Sequence, residues 1–186
     1  AVALLTLFGT LYVTAAPQGA VRGAADWPGW RGAQRDAVSP DQALQKSWKP
    51  GGPALAFKAT GLGTGYSSVA VAGGRIYTLG DKAGAQHLFA LDAKDGKSVW
   101  TAKVGAPWVD QMGGPRGTPT VDGDRVYAVG TEGDVVCVDA ATGKERWRRN
   151  LERDFGGQMM SIWKYSESPL VDGDRLIVTP GAEGAA

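Results

Sequence analysis

The chain has 186 residues, of which 43% are hydrophobic, so it is long enough and apolar enough to bury a core. Its formal net charge is +1 with acidic and basic residues interspersed, which leaves no basic stripe for nucleic acid. One cysteine, Cys137, excludes an internal disulfide, and one histidine, His87, excludes the usual His-rich metal and haem sites. We therefore predict no metal site and no nucleic-acid partner.

Residues 1–16 form an apolar run that ends before Pro17. Small residues at Thr14 and Ala16 suit signal-peptidase cleavage, so we interpret this run as a signal peptide whose beginning is incomplete. The predicted location is periplasmic or secreted, and an uncleaved signal would be the one route to a membrane. We predict an N-terminal extension over residues 17–50 and truncated repeats over residues 51–186.

A short apolar segment at residues 53–59 precedes the first repeat. It resembles the outer strands of the later repeats, with Phe57 at the position that tryptophan occupies there. This pattern predicts a strand that belongs to a neighbouring sheet.

The same phrase then recurs at a step of 50 residues, as VAGGRIY (71–77), VDGDRVY (121–127) and VDGDRLI (171–177). A fixed step of this size indicates one supersecondary unit stacked on copies of itself. Each phrase predicts a β-hairpin, and Asp122-Gly123 is expected to supply the two positive φ angles of a type I′ turn.

A second hairpin follows in the first two copies, and it gives each of them four antiparallel strands. Asp92 and Asp139 are expected to accept N–H bonds from the following turn, while Gly96 and Gly143 take the left-handed conformation. Trp100 and Trp147 end the outer strands, where a large ring can fill the wedge between sheets. The third copy stops after its first hairpin.

Four strands at this period are typical of β-propeller blades. We predict an all-β fold, a partial β-propeller of four-stranded antiparallel blades with about two and a half blades present. The incomplete third copy and the unmatched strand at 53–59 predict an N-terminal fragment of a longer protein.

Residues 90–100 and 137–147 resemble the A-x-D-x-x-T-G-x-x-x-W repeat of PQQ-like β-propellers, which include quinoprotein alcohol dehydrogenases and the propeller lipoprotein of the Bam complex. Residues 26–32 and 165–174 look similar to secreted bacterial PQQ-binding-like repeat proteins. The resemblance covers roughly residues 26–181. It implies the fold more than the chemistry, because the shared residues build the blade.

The longer, non-repetitive loops lie at residues 61–66, 106–116 and 154–167 and are expected to gather on one face. We predict that Tyr66, Arg116 and Glu167 lie within two residues of the innermost strand of their repeats, so their side chains are expected to converge at the mouth of the central channel. Six candidate ligand-binding residues follow: Tyr66, Trp108, Arg116, Trp163, Tyr165 and Glu167. Met112 and Met159 add thioether surface. The alternative is a packed lid in which Arg116 and Glu167 form an ion pair.

Three functions remain open at this point. The favoured one is an exported scaffold that binds a small molecule or a protein at the loop face. The second is part of a PQQ-dependent dehydrogenase, for which the resemblance implies calcium, Glu and Asn ligands, an Asp base and adjacent cysteines.

The residues of this sequence depart from the dehydrogenase pattern. The sequence has no adjacent cysteines, and its only asparagine, Asn150, follows an outer strand. No catalytic residue is therefore assigned, and PQQ with calcium is expected only with further blades. The third open function is that of an envelope assembly factor.

Overall fold

Strands dominate the computed structural model, which describes residues 26–41, 45–159 and 161–182. The elements in chain order are β1 (Ala70–Ala72), β2 (Arg75–Lys82), β3 (Ala85–Asp92), β4 (Ser98–Gly105), β5 (Thr120–Asp122), β6 (Arg125–Val129), β7 (Asp134–Asp139), β8 (Glu145–Asn150), α1 (Leu151–Phe155), β9 (Leu170–Asp172) and β10 (Arg175–Ile177). The predicted signal peptide at 1–16 lies outside the described residues, as does residue range 17–25 of the predicted extension.

The strands form two four-stranded sheets and one two-stranded sheet, and all neighbouring strands are antiparallel. The first blade has the order β1-β2-β3-β4, the second has β5-β6-β7-β8, and the third repeat contributes β9 and β10. Val71, Val121 and Val171 pair with the equivalent residue of the next strand in each hairpin. The partial β-propeller predicted from the repeated phrase is confirmed.

The first hairpin of each repeat turns one residue later than predicted. Asp122 pairs with Arg125, so the two loop residues are Gly123 and Asp124. Gly123 has φ 55°, whereas neither Asp122 nor Asp124 has a positive φ. The predicted type I′ turn at Asp122-Gly123 is therefore wrong, because the ladder takes Asp122 into the strand and leaves glycine at the first loop position, as in a type II′ turn.

The second hairpins have the predicted turn chemistry. Asp139 Oδ1 accepts hydrogen bonds from the N–H groups of Ala141 and Thr142, each at 3.0 Å. Asp92 Oδ1 accepts one from Lys94 N–H at 2.8 Å. These carboxylates replace the backbone partners that the turn residues lack.

One hydrophobic core joins the first two blades. Fully buried side chains from β3 and β4 meet others from β6 and β7, and the cluster includes Leu88, Val104, Val126, Val136 and Val138. The inner strands read as nearly continuous apolar runs because a blade is covered on both faces by its neighbours.

Aromatic residues seat each repeat on the next one. Trp100 Nε1 donates to Ala140 O at 3.1 Å, which confirms its predicted position in the wedge between blades. The Phe57 ring packs directly against Gly96 of the first blade. The predicted strand at 53–59 does not pair with any other described strand. Trp147 is 36% exposed and contacts Tyr127, because no further four-stranded sheet covers it among the described residues.

A short helix, α1, follows the outer strand of the second blade and was not predicted. Asn150 caps it, with Oδ1 accepting from Glu152 N–H at 3.1 Å and Arg153 N–H at 3.0 Å. Gly156 ends it in the left-handed conformation, with φ 65°. The part of the chain that the structure describes contains no helix with the length and apolar character needed to span a bilayer.

The described N-terminal segment, residues 26–36, runs across the innermost strands of the repeats. Trp27 exchanges two backbone hydrogen bonds with Val71 at 2.7 and 2.8 Å, and Pro28 O accepts from Val121 N–H at 2.7 Å. Further along, the Arg35 guanidinium donates to Ser168 O and Pro169 O at 3.2 and 3.1 Å. The segment therefore occupies the free inner edge of β1 and reaches the third repeat.

Candidate functional site

Three inter-blade loops converge on one arginine. The Cζ atom of Arg116 lies 4.8 Å from the ring centroid of Tyr66, 4.7 Å from that of Trp108 and 5.0 Å from that of Trp163. We call these four residues the aromatic cluster. The structure thus brings together four of the six side chains proposed from the sequence.

Close backbone contact holds the first two loops together. Tyr66 N–H donates to Pro115 O at 2.7 Å, and a Cβ on Gly114 would lie 2.7 Å from Gly65 Cα. Only glycines allow this approach. The contact places the Tyr66 ring beside the Arg116 guanidinium.

Arg116 is half-buried, and within the part of the chain that the structure describes its hydrogen bonds go to carbonyl oxygens of its own loop. Nη1 donates to Gly114 O at 3.1 Å, and Nη2 donates to Met112 O at 2.5 Å. Tyr66 Oη lies 3.6 Å from Met112 Sδ. Tyr66 and Trp163 add cation–π attraction from the two neighbouring loops, and Trp108 adds it from the same loop.

A buried polar chain that the sequence analysis missed fixes Trp108. Asp81 Oδ2 accepts from Trp108 N–H at 2.8 Å, and Asp81 Oδ1 accepts from Gln86 Nε2 at 2.9 Å. Gln86 is fully buried, and its Oε1 accepts from Thr131 N–H of the second blade at 3.0 Å. A glutamine in strand β3, at a position that is fully buried, was the available signal, because a buried amide requires partners.

The aromatic cluster has an exposed apolar rim. Val109 is 89% exposed and Ile162 is 82% exposed, while the Trp163 ring is 44% exposed. A cavity of about 510 Å³ lies between the first two loops and is bounded in part by Tyr66, Trp108 and Val109. We call this surface, from Tyr66 to Trp163, the loop face.

The structure places Tyr165 in the core and not on the loop face. It is 8% exposed, packs with Val135 and Leu151, and donates from Oη to Pro180 O at 2.8 Å. Burial raises the pKa of Tyr165. Met159 packs against the same buried cluster, so it contributes no thioether surface to the site.

The Glu167 side chain pairs with the backbone of the third repeat and not with Arg116. Its Oε1 accepts from Thr179 N–H at 2.7 Å, and burial raises the pKa of this carboxyl. The alternative Arg116–Glu167 ion pair is therefore not formed. The strands β1, β5 and β9 begin at Ala70, Thr120 and Leu170, so Tyr66, Arg116 and Glu167 lie further from the innermost strands than the expected two residues.

PQQ with calcium does not fit the described residues. Asn150 caps α1 with its Oδ1 and donates from Nδ2 to Glu132 O at 3.0 Å. Cys137 is buried in β7, where burial raises its pKa. The inner edge at Val71 is taken by Trp27. Within residues 26–182, where described, no group of three or more His, Cys, Asp or Glu side chains is arranged to hold a metal ion.

Two stacked four-stranded blades, a third hairpin and loops gathered on one face define a β-propeller repeat protein. The family model described as outer membrane protein assembly factor BamB matches residues 8–129 and 108–186. The chain belongs to this family. The predicted resemblance to PQQ-like propeller repeat proteins is confirmed.

Individual relatives match only part of their own length. Outer membrane protein assembly factor BamB of Burkholderia pseudomallei (strain K96243) is 38% identical over 86 residues, covering 46% of this chain and 21% of that protein. The crystal structure of BamB from Moraxella catarrhalis has a TM-score of 0.52 at 20% identity and covers 66% of this chain and 36% of its own.

A second solved structure has a similar fold. Quinohemoprotein alcohol dehydrogenase from Comamonas testosteroni has a TM-score of 0.56 at 19% identity, covering 81% of this chain and 22% of its own. At this identity the likeness shows the propeller fold alone. The chain thus spans 21–36% of the length of these relatives.

Proposed function

We propose that the protein is an exported β-propeller scaffold that binds a protein ligand through its loop face. The observation that carries the proposal is the aromatic cluster, in which loops from three repeats hold Tyr66, Trp108 and Trp163 around Arg116. Ordered aromatic and apolar side chains around one arginine match the composition of protein-binding hot spots.

The exposure of the rim supports a protein ligand. Val109 and Ile162 project from neighbouring loops with more than four-fifths of their surface accessible, at 89% and 82%. Exposed apolar side chains grouped on one face favour a partner that covers them. The blades beneath supply a rigid base, because Gln86 and Asp81 tie the second loop to both sheets.

Membership of the BamB family supports an envelope setting. Its relatives bear the name outer membrane protein assembly factor, and we carry this role to the present chain as a proposal. A periplasmic or secreted location, reached through the signal peptide predicted at 1–16, accords with it. The dehydrogenase alternative rests on fold likeness at 19% identity and on no residue of the described chain.

Site-specific photocrosslinking in cells tests the proposal. A photoreactive amino acid at position 109 or 162 is expected to give a discrete adduct with an envelope protein. The same amino acid at Val99, which is exposed on the outer strand β4, serves as the control and is expected to give none. Trp163→Ala should remove the adducts. Adducts that form equally from position 99, or that persist without Trp163, would contradict a loop-face ligand.

A further inference from the structure

Among the described residues, no carboxylate forms an ion pair with Arg116. Two arginines of the outer strand β8 have carboxylate partners: Arg146 lies 2.7 Å from Asp139, and Arg148 lies 2.8 Å from Glu145. The ion pairs of the described residues do not include Arg116, whose hydrogen bonds go to Gly114 O and Met112 O alone. A guanidinium has five N–H donors, so several remain available.

The surroundings of Arg116 favour an anionic ligand group over water. A cation beside aromatic rings is partly desolvated, which strengthens its attraction to a carboxylate. The planar guanidinium matches the two oxygens of a carboxylate. Because Tyr66, Trp108 and Trp163 already hold it in position, a ligand would not have to order this side chain.

Exposed apolar side chains belong to two of the loops that surround Arg116. Val109 lies in the same loop as Trp108, and Ile162 precedes Trp163 in the next loop. The cavity beside Tyr66 and Trp108, at about 510 Å³, is large enough for an aromatic side chain. A ligand chain that pairs with Arg116 and covers apolar residues of both loops must continue on both sides of its pairing residue.

We infer that the loop face recognises an acidic side chain of a protein ligand, flanked on both sides by aromatic or branched aliphatic residues, with Arg116 pairing its carboxylate. This inference rests on the proposed function and specifies the chemistry of the ligand. It selects an internal Asp or Glu over a chain-terminal carboxylate, because the exposed apolar residues Val109 and Ile162 lie on two different loops around Arg116.

Three N-acetylated peptides test the inference. Two are C-terminal amides, acetyl-Phe-Glu-Phe-amide and acetyl-Phe-Gln-Phe-amide, and the third is acetyl-Phe-Gln-Phe with a free C-terminal carboxylate. Binding is followed by NMR on the indole N–H signals of Trp108 and Trp163 in the whole chain. We expect the Glu peptide to bind about tenfold more tightly than the Gln amide, as a charge-assisted hydrogen bond allows. Raising the salt concentration should reduce this difference.

Arg116→Gln should abolish the preference for Glu, and Arg116→Lys should retain part of it. Arg175→Gln is the matched control, because Arg175 is an exposed arginine in the third repeat and should leave the preference unchanged. The salt dependence of the Glu-to-Gln affinity difference is measured on the native chain. The inference can therefore still be tested if a variant misfolds.

Equal binding of the Glu and Gln amides to the native chain would overturn the inference, as would absence of binding by all three peptides. Preferential binding of the peptide with a free C-terminus would also overturn it and would assign the site to a chain end. If the loop-face crosslink forms but the peptides show no charge preference, this inference fails while the proposed function stands. If the crosslink does not form, the proposed function itself fails.

Discussion

Trp100 of the first blade lies directly over Gly143 of the second blade, where a Cβ on Gly143 would come within 2.6 Å of the indole ring. Phe57 has the same relation to Gly96, also at 2.6 Å. An aromatic side chain of one repeat therefore rests on the turn glycine of the next. This contact explains why the glycine and the aromatic residue recur together in the repeat.

Gly143→Ala is expected to lower the free energy of unfolding by about 3 kcal/mol, because the methyl group meets the Trp100 ring and the residue has a positive φ. Gly123→Ala is the matched control, since Gly123 also has a positive φ but no atom within 4 Å of a Cβ. It should cost about 1 kcal/mol. Denaturant unfolding measures both variants, and equal losses would show that the ring contact contributes little.

Truncation of the two repeat tryptophans should have unequal effects. Trp100→Ala removes the wedge between blades and the hydrogen bond to Ala140 O, and we expect a loss of about 3 kcal/mol. Trp147→Ala removes a ring that is 36% exposed and contacts Tyr127, and we expect roughly 1 kcal/mol. Thermal unfolding of both variants checks the order, and a larger loss at Trp147 would contradict this assignment of the wedge.

The sequence could predict the blades because their determinants are local. Short apolar runs between turns define the strands, and the Asp and Gly of each turn act within a few residues of one another. Asp139 with Ala141 is such a pair. The turn register at Asp122 was missed because backbone pairing, which is a property of the whole ladder, decides where a strand ends.

The candidate site could be predicted only in part. The loops that carry Tyr66 and Arg116 were identified from their irregular sequence, but side-chain direction inside a loop is set by backbone angles that local patterns do not reveal. Lys164 has φ 61°, and its neighbours have different environments: Trp163 joins the aromatic cluster and Tyr165 enters the core. The Gln86–Thr131 contact joins residues 45 positions apart in sequence, beyond any local pattern.

Acid should weaken the second hairpin of the second blade through Asp139. Arg146 lies 2.7 Å from Asp139 and holds the pKa of that carboxyl at about 2, below its usual value of 3.8. A lowered pKa means that the stabilisation is present above about pH 3.8 and is lost as the pH falls towards 2. Asp139→Asn should flatten the dependence of stability on pH in this window.

Unfolding midpoints at pH 2.5 and pH 5 compare the native chain with this variant. Asp174→Asn is the control, because Asp174 is 98% exposed and lies 4.0 Å from Arg175. It should leave the acid response nearly unchanged. An Asp139→Asn variant that retains the full acid response would show that another carboxylate dominates.

Glu167 should act in the opposite direction. Burial raises the pKa of Glu167, so the folded protein binds this proton more tightly than the unfolded chain, and stability falls as the pH rises above about 4.5. Glu167→Gln removes the charge and keeps an oxygen that can accept from Thr179 N–H. The variant is therefore expected to be more stable than the native chain at pH 7, with a smaller difference at pH 4.

Denaturant unfolding at pH 4 and pH 7 measures the stability of the Glu167→Gln variant. Glu152→Gln, on the exposed surface of α1, is the control. A Glu167→Gln variant that is less stable at pH 7 than at pH 4, relative to the native chain, would mean that the ionised carboxylate stabilises the third repeat.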